Sequence, residues 1–193
     1  MAGGYIICEY DSVKREFPEF QDVMATLKSE LVSLASKDWN IPAEKFTLED
    51  GHLTTILPAL FRDMSNTRLT TWDQWFTATG AQTILSGVSG GNIPEDFKVG
   101  LAGIAILDKV IRISEFKMQI SDKKLPRINI EEAFGYNKPA FIFEEGYILD
   151  EEKSFELVAY VLTQGPQRIK LIGLQANRVK DKLITTDTGA AVV

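Results

Sequence analysis

Residues 99–107 form the longest nearly uninterrupted apolar stretch of the chain, and they constrain the fold more than any other feature. The stretch is about half of what a bilayer crossing needs, and Asp108 and Lys109 close it. No transmembrane span is therefore expected. A segment that is apolar on every face has to be enclosed by other elements, so a core must be built around it. Pro94, followed by Glu95 and Asp96, has the make-up of a helix start: proline's missing N–H is no loss there, and acidic side chains meet the positive end of the helix dipole. Together these residues predict a helix over 94–119 at the buried centre of the domain.

Other segments carry the same period. Over 18–35, Phe20, Val23, Met24, Leu27, Leu31 and Leu34 fall at the spacing that lines one helix face. Residues 38–42 break that pattern, and Pro42 pushes the residue before it toward extended geometry. A shorter helix is expected over 53–64, limited by Pro58. Ser65, Asn66 and Thr67 supply capping chemistry for another over 68–86, which carries Leu69, Trp72, Trp75, Phe76 and Ile84. Prolines 126 and 139, with Gly135 and Asn137, suggest irregular chain over 122–139. Residues 140–143 and 147–149 then read as two short strands around a turn at 144–146.

Asp150 is expected to cap a helix through Leu157 and Leu162 that Gly165 and Pro166 stop. A last helix follows, with Ile169, Ile172, Ala176, Val179 and Leu183 along one side. The fold expected from these readings is mainly α: a compact bundle of five or six helices with a small β-hairpin near 140–149. One helical domain, 1–184, would be followed by a mobile tail, 185–193.

With 193 residues, 45% of them hydrophobic and 25% charged, the chain can bury a core without covalent staples. It has to, because Cys8 is its only cysteine, which excludes an intramolecular disulfide and a cysteine-based zinc site. The first ten residues lack the basic and apolar regions of a secretory signal. An intracellular, cytoplasmic setting is expected, or a place within a virion-like assembly.

The formal net charge of −6 is distributed in blocks. Residues 1–60 carry ten acids and five bases, 61–127 seven and nine, 128–160 eight and two, and 161–193 two and five. The positive blocks concentrate in Arg112, Lys117, Lys123, Lys124 and Arg127, and again in Arg168, Lys170, Arg178, Lys180 and Lys182. Such segments can neutralise phosphates and release counterions. They can equally meet acidic blocks on other copies of the chain and fix register in an assembly.

Catalytic patterns are sparse. His52, beside Glu49 and Asp50, is the single histidine and has neither a second histidine nor a cysteine at a known spacing, so it reads as a loop residue. Cys8 is next to Glu9, which would raise rather than lower its pKa, and reads as a bystander thiol. The acids Glu144, Glu145, Asp150, Glu151 and Glu152 lack the spacing of a calcium loop. Trp72, Trp75 and Phe76 read as core aromatics. The sharpest enzyme-like feature is the glycine-rich stretch Ser86, Gly87, Ser89, Gly90, Gly91 and Asn92. Its backbone N–H groups and the helix start expected after it suit a phosphate, although the Lys-Ser/Thr of a P-loop is missing.

These observations favour a non-enzymatic, self-associating structural subunit, coat-like or nucleoprotein-like, whose partners are copies of itself and RNA. The ten basic residues would be the nucleic-acid contacts. No cofactor, metal site or membrane association is implied. One alternative is a phosphorylated-ligand-binding protein or enzyme using the 86–92 loop. Another is an acidic adaptor or inhibitor that binds a protein partner through 128–160.

Overall fold

The computed structural model describes residues 4–13, 18–57, 71–85 and 93–178. Among them are eleven β-strands and one 22-residue α-helix, so the expected helical bundle is corrected to a two-sheet sandwich backed by a helix. The strands are β1 (Tyr5–Glu9), β2 (Leu53–Thr55), β3 (Trp72–Phe76), β4 (Gly80–Leu85), β5 (Phe97–Ile106) and β6 (Ile113–Ile120). They continue with β7 (Lys123–Lys124), β8 (Ile128–Asn129), β9 (Pro139–Leu149), β10 (Phe155–Val161) and β11 (Gly165–Asn177). One antiparallel sheet runs in the order β1-β9-β5-β11-β2, with β3 also on β11. The second runs β4-β10-β6-β7, with β8 also on β6.

The helix α1 (Pro18–Trp39) forms where the sequence predicts it and continues about a turn further, ending at Asn40 in the left-handed conformation (φ 53°) that closes helices. Its buried residues, Phe20, Leu27, Leu31, Ala35 and Trp39, pack on the outer face of the first sheet. The inner faces of the two sheets enclose the largest core cluster. The layers are thus helix, sheet and sheet.

That layering explains residues 99–107. All ten residues of β5 are buried, because β9 and β11 flank it, the helix covers one face and the second sheet the other. The expected enclosure is right and the expected helix is wrong. A strand buried on both faces is as continuously apolar as a buried helix, so hydrophobicity does not distinguish the two. Size does: Phe97, Val99, Leu101, Ile104 and Ile106 point into the sandwich core, whereas Ala102 and Ala105 join the cluster under the helix. The shift in phase coincides with a register shift at 101–103. Small residues on the helix side let α1 approach closely, and a Cβ added to Gly100 or Gly146 would lie 2.8 or 2.6 Å from the Leu27 side chain.

The rest of the predicted helix over 94–119 is the turn 107–112 and β6, where Phe116 and Met118 face the core and Glu115, Lys117 and Gln119 do not. That period of two is a strand signature. The described part of the predicted helix over 68–86, residues 71–85, holds β3 and β4; Trp72 and Phe76 are core, but Trp75, one step out of phase, is 66% exposed. The predicted helix over 150–162 is replaced by β10, again with alternating burial, and residues 169–177 of the one over 169–183 belong to β11; residues 179–183 lie outside the described residues. The expected helix over 53–64 begins instead as β2; its part beyond residue 57 lies outside the described residues, as does the tail 185–193.

The expected hairpin over 140–149 is one strand, β9. Its residues 143–146 form a bulge opposite the single residue Ala102, and the glutamates and glycine that suggest a turn occupy that bulge.

Candidate functional surfaces

The ten basic residues do not converge on one surface. Lys180 and Lys182 lie outside the described residues. Arg112 is occupied with the β10–β11 turn: its guanidinium donates to the carbonyl oxygens of Gln164 (2.8 Å) and Pro166 (3.2 Å). Arg168 donates to Asp73 at 2.9 Å, and the hydrogen bond and charge of that carboxylate push its pKa up. Arg178 meets Asp96 at 3.5 Å, and Lys123 lies over the Tyr147 ring. Lys117, Lys124 and Arg127 alone share a site, a 170 Å³ hollow on the solvent face of the second sheet, where Glu115 stands 3.7 Å from Lys117 and 3.6 Å from Arg127. Lys170 faces the opposite side of the molecule, beside α1.

The glycine-rich stretch with Ser86, Gly87, Ser89, Gly90, Gly91 and Asn92 lies outside the described residues. Its flanks correct one part of the phosphate-cradle reading. Strand β4 precedes it, and strand β5, not a helix, follows, so the helix dipole invoked for anion binding is missing.

His52 is built into the fold: its Nδ1 is 2.8 Å from the carbonyl oxygen of Asn177 and its ring packs against Phe46. Asn177 in turn bonds the carbonyl of Gly51 and accepts from the buried Gln175 amide. Cys8 is buried against Ala140, and burial pushes its thiol pKa up to about 11. Among the acids of 144–152, Glu144 accepts from the Gly4 backbone N–H, while Asp150 and Glu151 surround a cation that the sequence reading passed over.

That cation is Lys98, only 2% exposed. Its ammonium lies 2.9 Å from Asp38 at the end of α1, in contact with Asp150, 3.8 Å from Glu151 and over the Trp39 ring. Trp39 Nε1 donates to Glu151, which joins helix and β9–β10 turn through the same group. Burial lowers the lysine's pKa, but the hydrogen bonds and charges of Asp150 and Asp38 outweigh it, leaving the pKa above its ordinary value. Asp150 is resolved the same way: burial raises its pKa, and Lys98 with the Glu151 N–H brings it below the usual carboxylate range. The group sets one buried ammonium against three partly exposed carboxylates, and this ion cluster fixes the helix to the sandwich. The signal for it was a lone lysine inside an apolar run, between Phe97 and Val99.

The exposed apolar residues are distributed unevenly. The turns 77–79, 107–112 and 162–164 and the loop 130–138 emerge at one end of the sandwich, as the strand registers require. Of the seven large hydrophobic residues exposed among the described residues, six belong to that end: Trp75, Val110, Phe134, Tyr136, Tyr160 and Leu162. The end is stiff. Buried Gln167 donates to Asp108 (2.9 Å) and to the carbonyl of Val110 (3.2 Å) and accepts from the Arg112 N–H (2.8 Å), which fixes the turn that presents Val110. Around the apolar side chains stand charges of both signs, with Lys109, Glu131, Glu132 and Asp11 all exposed.

The fold therefore defines an antiparallel two-sheet sandwich with one helix on its outer face. No family model, curated protein or solved structure matches the chain.

Proposed function

We propose that this chain is a non-enzymatic structural subunit that associates with copies of itself through the loop end of the sandwich. The observation that carries the reading is that six of the seven large apolar side chains exposed among the described residues belong to that end. Scattered exposed hydrophobics are ordinary, but a collected set rimmed by polar residues is characteristic of protein interaction sites. A turn fixed by buried hydrogen bonds loses little freedom on docking. Mixed charge around the apolar centre suits a patch that meets its own copy, where Lys109 of one copy can face a glutamate of the other across a twofold axis. Nucleic acid, in this reading, is contacted through the hollow formed by Lys117, Lys124 and Arg127, a much smaller footprint than ten residues.

The test is the mass of the protein in solution by light scattering, at low and moderate salt, compared with a Val110→Glu/Leu162→Glu variant. The expected result is an oligomer that the two substitutions return to a monomer of unchanged circular dichroism. A monomeric parent protein at every concentration and salt would overturn the reading and favour the acidic adaptor.

A further inference from the structure

A cleft of about 430 Å³ opens beside α1, on the side of the first sheet away from the sandwich core. Its walls include Val13, Phe20, Met24 and Ile172, and Tyr10 and Lys170 stand at its rim. Val13, Phe20 and Ile172 are buried, so the cleft is a recess in the protein and not a dip between surface side chains.

The pairing of β11 places it there. β3 pairs with β11 up to Ile169, and β2 takes over at Leu174. Residues 170–173 thus have no ladder partner on that edge among the described residues, and all four line the cleft. Backbone N–H and C=O groups left without a ladder seek other polar partners.

Its charge is selective. The Lys170 ammonium lies 5.3 Å from the centre of the Tyr10 ring, and no described carboxylate comes within 4.0 Å of it. Asp11, at the same rim, is 3.3 Å from Lys138 and so already has a cation of its own. The cleft therefore combines apolar walls, an ammonium that no described carboxylate pairs and a phenol at its mouth, within the size range of small-molecule sites. At about 30 Å³ per water-sized group, it holds on the order of ten to fourteen non-hydrogen atoms.

We infer that this cleft binds a medium-chain aliphatic carboxylate, its chain against Phe20, Met24 and Ile172 and its carboxylate on Lys170. Such a ligand satisfies both halves of the site: the walls gain apolar burial, and the ammonium gains an anion that no described carboxylate supplies. The inference is independent of the association proposed above, since none of the six exposed apolar side chains of the loop end lines the cleft.

The experiment is calorimetric titration of the full chain with sodium decanoate below its micellar concentration, alongside decanol. Saturable binding at one decanoate per chain is expected. Lys170→Gln should weaken decanoate about tenfold while leaving decanol unchanged. Met24→Trp, which fills the cleft, should abolish both. Absence of saturable binding to the folded parent protein overturns the inference, and so does equal decanoate affinity of the parent and the Lys170→Gln protein. Circular dichroism of each variant separates loss of binding from loss of fold.

Discussion

Leu27 and Gly100 should be strongly coupled, because the space one occupies is what the other leaves free. Leu27 is 1% exposed, and truncating a buried leucine to alanine costs about 3 kcal/mol through lost burial and a residual cavity. A Cβ on Gly100 would lie 2.8 Å from Leu27 Cγ and 3.1 Å from Cδ2, well inside the roughly 3.5–4.0 Å at which carbon atoms attract. Gly100→Ala alone should therefore cost about 1–2 kcal/mol: overpacking strain of about 1–3 kcal/mol, less the gain of about 0.4–1 kcal/mol from a less flexible unfolded chain. In the Leu27→Ala background the obstructing atoms are gone. There the same methyl fills part of the cavity, and Gly100→Ala should stabilise by about 1 kcal/mol.

The double variant should thus be only about 2 kcal/mol less stable than the parent, against about 4–5 kcal/mol if the two changes were independent. Urea unfolding followed by circular dichroism measures all four proteins, provided the denaturant slope is the same in each. Additivity within about 0.5 kcal/mol would refute the account of how α1 meets the sheet. Gly173→Ala and Gly103→Ala serve as controls, since their Cβ atoms would meet backbone oxygens of Gly100 (2.0 Å) and Phe141 (2.3 Å). Leu27→Ala should rescue neither.

Lys98→Ala should destabilise by about 3 kcal/mol, the lower part of the range for a broken buried pair, because its Asp38 and Asp150 partners are 39% and 38% exposed; thermal unfolding measures it. The pair also sets a pH dependence. Asp150 has its pKa lowered by folding, so its contribution is present above the ordinary aspartate pKa of about 4 and is lost as pH falls through the depressed value. Lys98→Met should flatten that acid limb of the melting temperature, and an unchanged limb would count against the pairing. Cys8, with its pKa near 11, should react with a thiol reagent at neutral pH only at the rate of unfolding, whereas fast labelling of the native protein would contradict its burial. Neutralising Lys117, Lys124 and Arg127 together should lower the slope of log affinity against log salt for single-stranded RNA by about 2, from about 0.7 per phosphate contact. An unchanged slope would remove nucleic acid from the proposed function.

Several features are legible in the amino-acid sequence by itself. Helix α1 and the face it buries are written in local periodicity, since a helix bonds each residue to one four positions away and its pattern is complete within a short window. Enclosure of 99–107 follows from composition alone, as does the absence of a disulfide. The period of two in β6, with Phe116 and Met118 against Glu115, Lys117 and Gln119, is equally local; the proline and acids at 94–96 outweigh it only when 94–119 is taken as one element.

Tertiary structure decided the rest. Cys8 pairs across its ladder with Ala140, and β11 meets β2, β3 and β5 over separations of 60 to more than 100 residues. No local window contains such partners. The same separation governs function. Of the ten basic residues that form two blocks along the chain, the eight described ones are divided among opposite faces, because successive strand residues point to opposite sides and successive strands enter different sheets. Lys98 acquires its carboxylates from the end of α1 and from the β9–β10 turn, and the cleft at Lys170 lies where two distant strands share one edge of β11 and, among the described residues, leave 170–173 unpaired between them. Side-chain chemistry is local to the sequence, but which chemistries meet is fixed by long-range hydrogen-bonded pairing and burial.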